Sequence, residues 1–236
     1  LYPGRIDLGL GRAPGTDQLT AFALRRNNMD AAYNFPASIK ELQTYFSKDN
    51  AQGKVRAFPG EGLTIPLWIL GSSTDSAYLA AEMGLPYAFA THFAPAQFRA
   101  AIDIYKKHFR PSAQLATPYL LACVNVLAAA TDKEAALLAT SLYRMFVGIL
   151  TNQRSPLQPP GPLPEVFYHP DVQQAVNNMT AYTFTGSKDS LREKLGAFIT
   201  ETGIHELMTT SHIYDLSAKL ESFALVKEAL AERIVQ

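Results

Sequence analysis

Cysteine is almost missing from this sequence. Cys123 is the single one among 236 residues, so no internal disulfide forms, and this favours a reducing, cytoplasmic setting. Cys123 itself lies in an apolar run and reads as a small core residue. Charge of one sign is lacking too. Lys and Arg total 21 against 21 Asp and Glu, which excludes a broad surface for nucleic acid or anionic lipid but leaves room for one local anion site. No apolar run reaches the roughly 18 residues that a membrane span needs, and no basic segment leads into an apolar one as in a signal peptide. An initiator methionine is absent. The chain opens on Leu1 a few residues before a strand, from which a missing upstream segment is expected. The five histidines show no helical ligand spacing with an acid, so no metal site is expected. Neither a G-x-S-x-G elbow nor a cysteine nucleophile motif occurs.

What is present is alternation. With 47% hydrophobic residues the chain can bury a substantial core. Ile6, Leu8 and Leu10 recur at period two, predicting a strand with one face left bare by Gly9 and Gly11. "IPLWILGSS" (65–73), "LPYAFATHF" (85–93), "PYLLACVNVLAA" (118–129) and "HELMTTSH" (205–212) read as four more strands. Helices are predicted over 17–26, after Pro36, over 74–83 with Gly84 as cap, after Pro95, and from a Thr131/Glu134 capping box to about Leu150. Two more cover 187–202 and run through Leu216, Leu220, Phe223, Val226 and Leu230. Strands alternating with helices predict a parallel sheet wrapped by helices, either doubly wound or part of a (β/α)8 barrel. The stretch "SPLQPPGPLPEVFYHP" reads as a packed irregular insertion, over about 151–180, within a single domain.

Three constellations carry candidate chemistry. Gly9-x-Gly11-x-x-x-Gly15 approximates a dinucleotide fingerprint, but the region around Asp30 is poor strand material, so the required second strand with its acid is missing. In "LGSSTDSAYLAAEMG", Ser72, Ser73, Thr74, Asp75 and Ser76 gather where a buried strand meets a helix start. Free amides, the helix dipole and hydroxyls suit a phosphate there, while Ser73 or Thr74 also reads as a plain N-cap. Arg12 leaves the C-terminal end of the neighbouring strand, within reach of that same helix start, and a guanidinium beside a helix N-terminus forms a phosphate clamp. His92 and His212 stand at strand C-termini, as ligand-facing groups or as hydrogen-bonded rim residues; His108, His169 and His205 look peripheral.

Taken together, "PGRIDLGLGRAPGTDQ", "PGEGLTIPLWILGSSTDSAYLAAEMGLPYAFATHFAP" and "ELMTTSHIYD" resemble the luciferase-like flavin-dependent monooxygenases, specifically the bacterial alkanal monooxygenase-like group, over essentially the whole chain. The resemblance implies an α/β (β/α)8 TIM barrel that binds reduced FMN from a separate flavin reductase. It also implies O2-dependent oxygenation of a small organic substrate such as an aldehyde, by a homodimer. In the family an arginine after the fourth strand and hydroxyl residues after the fifth grip the flavin phosphate; by position these are Arg12 and then Ser73 and Ser76. Ser72 stands where luciferase has an acid, and Gly11 falls near the flavin ring, where luciferase has a larger side chain. The chain departs from the pattern by beginning at the fourth barrel strand, so three strands and the usual catalytic histidine are absent, through an upstream segment or as in a shortened relative. Catalytic residues are therefore not assigned.

Three other readings share parts of this pattern. A deazaflavin (F420)-dependent oxidoreductase uses the same barrel, a non-catalytic flavin-binding protein fits the missing strands, and a phosphosugar-type barrel enzyme shares the clamp without flavin.

Overall fold

The computed structural model describes residues 2, 4–12, 18–25 and 33–231. Among these residues six strands run parallel in one sheet: β1 (Leu8–Gly11), β2 (Leu67–Gly71), β3 (Tyr87–Phe89), β4 (Leu120–Ala128), β5 (Thr183–Gly186) and β6 (Glu206–Thr210). β1 to β4 are neighbours in chain order, with Gly11 beside Leu70, Gly71 beside Phe89 and Ala88 beside Leu121. Residues Leu121–Asn125 of β4 pair with β6. Its last residues, Asn125–Ala128, pair with β5. Because Asn125 is partnered by both Thr183 and Thr210, β5 and β6 lie on opposite edges of β4. β4 thus runs on past the end of β3, and β5 borders that extension.

Helices fill the connections: α1 (Gln18–Arg25), α2 (Phe35–Phe46), α3 (Thr74–Met83), α4 (Phe98–His108), α5 (Asp132–Leu150), α6 (Pro170–Met179), α7 (Lys188–Thr202) and α8 (Leu216–Ala231). Their inner faces and one face of the sheet form the main core. Leu67 and Ile69 of β2, Tyr87 and Phe89 of β3, and Leu120, Ala122, Val124 and Val126 of β4 meet Phe98, Ala101, Ile102, Leu195 and Phe198 there. α3 approaches closely because Ala77, Ala80 and Ala81 face the sheet, each with no exposed surface. Gly84 then ends it in the left-handed region, φ 62°, which a residue without Cβ adopts at no cost. The other face of the sheet is thinly covered, with Trp68 against Ala88, Leu121 and Cys123.

The structure bears out every predicted strand and adjusts the first: Ile6 precedes β1 and is exposed, while Leu8 and Leu10 pack on the helix side. Two elements were not predicted. α6 starts within the proline-rich region at Pro170, whose fixed φ suits the first turn of a helix. The four residues of β5, TFTG, carry a single large apolar side chain. Asp17, Arg26 and Asp30 lie outside the described residues, as do Pro14 and Gly15. Among the described residues no helix is long and apolar enough to cross a membrane.

Candidate functional site

The C-terminal ends of β1 and β2 lie side by side, so the residues that follow them share one rim of the sheet. Arg12 leaves β1 and its Nη2 donates to Asp75 Oδ2 at 3.4 Å, in the first turn of α3. Parallel pairing is what brings these groups together, since they are 63 residues apart in the chain. Both side chains are at least half exposed, at 50% and 70%, and an exposed pair of this kind contributes little, roughly 0–1 kcal/mol. A stronger anion can therefore replace the Asp75 carboxylate at small cost.

Ser73 is the N-cap of α3: its hydroxyl accepts from the Ser76 N–H at 3.5 Å. Ser76 turns its own hydroxyl back, donating to the Ser73 carbonyl at 2.6 Å and lying 2.8 Å from the Tyr87 hydroxyl. Tyr87 has no exposed surface, and its hydroxyl also reaches the Ser73 carbonyl at 3.1 Å. Burial drives the Tyr87 phenol far above its ordinary range, the Ser76 hydroxyl offsetting part of the shift, so it stays a neutral donor. The Thr74 N–H is taken by Gln97 Oε1 at 2.9 Å. Ser72 sits half-buried between the strand end and the cap. The structure thus gathers Arg12, Ser72, Ser73 and Ser76 around one helix start. Ser73 and Ser76 also build the cap itself.

Gly9 and Gly11 occupy the sheet face opposite the helices. A Cβ on Gly11 would meet only the Leu70 carbonyl oxygen, at 3.8 Å, whereas one on Gly9 would press on the Leu70 side chain at 2.7 Å. Leu70, itself 44% exposed, thus covers Gly9, and the open backbone of this face lies at Gly11.

Further along the rim stand His92, after β3, and His212, after β6. Both rings are half-buried, and neither Nδ1 has a hydrogen-bond partner among the described residues. Burial lowers the pKa of each; Lys219 and His92 lower His212 further, and the Cys123 carbonyl offsets part of the shift at His92. Both imidazoles are thus held neutral. Asn125 has no exposed surface and ties this side together. Its Nδ2 donates to the His92 carbonyl at 2.6 Å and to Thr183 Oγ1 at 3.3 Å, and its Oδ1 accepts from Thr210 at 2.9 Å. Thr91 donates to the Cys123 carbonyl. Cys123 is buried, its thiol pushed up to about 11 by desolvation, which suits the core role read from its sequence context. Among the described residues no three His, Cys, Asp or Glu side chains group as a metal site. Sequence reasoning missed Tyr87 and Asn125, because each acts through partners distant in the chain; a polar residue inside an apolar strand run is the signal that marks Asn125.

Comparison with known proteins supplies the family context for this rim. The family model described as luciferase-like monooxygenase matches residues 1–206. A protein named luciferase-like monooxygenase from Escherichia coli strain K12 is 42% identical over 232 residues, covering 98% of this chain and 69% of that one. The crystal structure of apo-MsnO8 superposes with a TM-score of 0.83 at 29% identity, over 98% of this chain and 70% of its own. Two more distant structures share the fold. A Type II Baeyer-Villiger monooxygenase in complex with FMN gives a TM-score of 0.59 at 17% identity over 98% of this chain and 71% of its own. An F420-dependent secondary alcohol dehydrogenase gives 0.61 at 13%, over 97% and 71%. The six-stranded sheet is therefore a partial barrel of the luciferase-like TIM type.

Proposed function

This chain belongs to the luciferase-like monooxygenase family, and from that premise we propose that it binds FMN by its phosphate and serves the oxygenation of a small organic substrate, such as an aldehyde, by reduced flavin and O2. The observation that carries this reading is the reach of Arg12 from β1 to the start of α3. The guanidinium and the first turn of α3 both favour an anion, and the exposed Asp75 carboxylate holds the arginine in place until a dianionic phosphate takes over. Ser72 and Ser73 add hydroxyls at the same helix start, while Tyr87 keeps Ser76 and the cap in register. Gly11 leaves bare backbone on which a flat ring system can lie close to the strand.

When bound, reduced flavin supplies the electrons that activate O2. The protein's own part is to hold the phosphate, orient the ring and line the rim with neutral groups. His92 and His212 are suited to hydrogen-bond an organic substrate, because burial keeps them uncharged and each has an Nδ1 unpaired among the described residues. A separate reductase delivering the flavin, a homodimeric assembly and a cytoplasmic setting belong to the same reading.

Substituting Arg12→Ala tests it. FMN affinity, followed by flavin fluorescence quenching, should fall about tenfold or more, with the far-UV circular dichroism unchanged. Riboflavin, which lacks the phosphate, should bind the wild type and the variant alike. Equal FMN affinity of the two proteins removes the clamp. A parallel titration with F420 decides between the two cofactors.

A further inference from the structure

Five of the described arginines have a carboxylate partner: Arg12 with Asp75, Arg56 with Glu61, Arg99 with Glu201, Arg110 with Glu82 and Arg192 with Asp189. Arg5 lies over the Tyr2 ring. Two others, Arg144 on α5 and Arg154 just beyond it, line the same cavity, of about 560 Å3. That volume lies within the range of small-molecule sites. Phe93, Phe146, Ile149 and Met179 form its apolar wall, and no carboxylate lines it. It shares no lining residue with the groove beside Arg12.

Arg144 is anchored by one bond, from Nη1 to the Pro159 carbonyl at 2.9 Å. Arg154 makes no hydrogen bond or ion pair among the described residues. The chain as a whole carries as many acids as bases, so this pairing of cations is not the by-product of a basic surface. Two guanidiniums around one cavity repel each other unless an anion sits with them. A purely hydrophilic anion leaves the aromatic and aliphatic wall unused.

We propose that this cavity binds an amphipathic organic monoanion, a carboxylate with a hydrocarbon chain. The carboxylate sits on Arg144 and Arg154, where a guanidinium fork matches its two oxygens, and the chain lies along Phe93, Phe146, Ile149 and Met179. Phe93 meets His92 edge-on, ring centroids 4.7 Å apart, so the cavity abuts the rim described above. The site stands on its own residues and does not require the flavin reading.

Octanoate is the probe, titrated by calorimetry into the full chain, with octanol as its neutral counterpart. Saturable octanoate binding is expected, with octanol weaker. Arg154→Gln, an exposed position with no partner to lose among the described residues, should weaken octanoate about tenfold or more and leave octanol and FMN affinities unchanged. Arg12→Ala should leave octanoate binding intact, which separates this site from the phosphate clamp. Absence of saturable octanoate binding, equal affinity for octanol, or equal octanoate affinity in Arg154→Gln each overturns the proposal.

Discussion

Gly71 ends β2 without a side chain, and Ser76 fills the space this leaves. A Cβ placed on Gly71 would overlap Oγ and Cβ of Ser76. Ser76 has nowhere to retreat, because its hydroxyl is fixed between the Ser73 carbonyl and Tyr87. Gly71→Ala must therefore push α3 outward or break this bond set, at a cost of about 1–3 kcal/mol, as for other overpacked sites. At about 2–4 °C per kcal/mol for a chain of this size, differential scanning fluorimetry should record a Tm several degrees lower. Gly11→Ala serves as the control, since its Cβ meets only one atom at 3.8 Å. Matching Tm values for the two variants would show that Ser76 is not held as described. The Ser73 cap was legible in the sequence, because a serine before a helix start needs only local geometry. The inward turn of Ser76 was not, because it depends on a tyrosine on the next strand.

The same division holds for the elements. β2, β3 and β4 announce themselves as apolar runs, and α5 by Thr131 and Glu134, whose reciprocal cap is present in full. α6 had a readable signal: Val172, Val176 and Met179 after Pro170 follow helical spacing, with Val176 fully buried, but the preceding prolines hid it. β5 had none, since its order comes from pairing with the end of β4. Asn125 joins these elements by bonding to the loop after β3, to β5 and to β6 at once. A fully buried amide is tolerated only because donor and acceptor are both satisfied. Asn125→Ala strands the His92 carbonyl and two threonine hydroxyls, with an expected loss of about 1–3 kcal/mol, whereas Thr210→Val forfeits one bond and about 1 kcal/mol. Urea unfolding midpoints of the two variants should rank in that order. The reverse ranking would mean that Asn125 does not join the strands.

Over the whole molecule, titrating groups with shifted pKa values set how stability responds to acid. Burial lowers His92, His205 and His212, and at His205 the Nδ1 also accepts the Leu120 N–H at 3.1 Å, a bond that only the unprotonated ring can make. An imidazole that resists protonation when folded binds fewer protons than the unfolded chain, so stability rises with pH across that interval. Coming down from neutral, the loss begins near the ordinary histidine pKa of about 6.5 and continues towards the lowered folded values. Asp132 acts in a separate window. Its carboxylate accepts from the Ser187 N–H at 2.6 Å and the Ser190 hydroxyl at 2.9 Å, tying the start of α5 to the start of α7, and the Ser187 N–H first, then these hydroxyls, hold its pKa below the usual range. This contribution is complete above about pH 3.9 and disappears as the pH falls through the lowered folded value. Urea midpoints should therefore decline in two stages, the first setting in as the pH falls below about 6.5 and the second below about 4. Replacing His92 and His212 with glutamine should shrink the first stage to the His205 share and leave the second, and Asp132→Asn should shrink the second and leave the first. A midpoint that stays level from pH 8 to 5 would mean that the histidines are protonated as readily in the folded chain as in the unfolded one, and the neutral rim assigned to them would have to be abandoned.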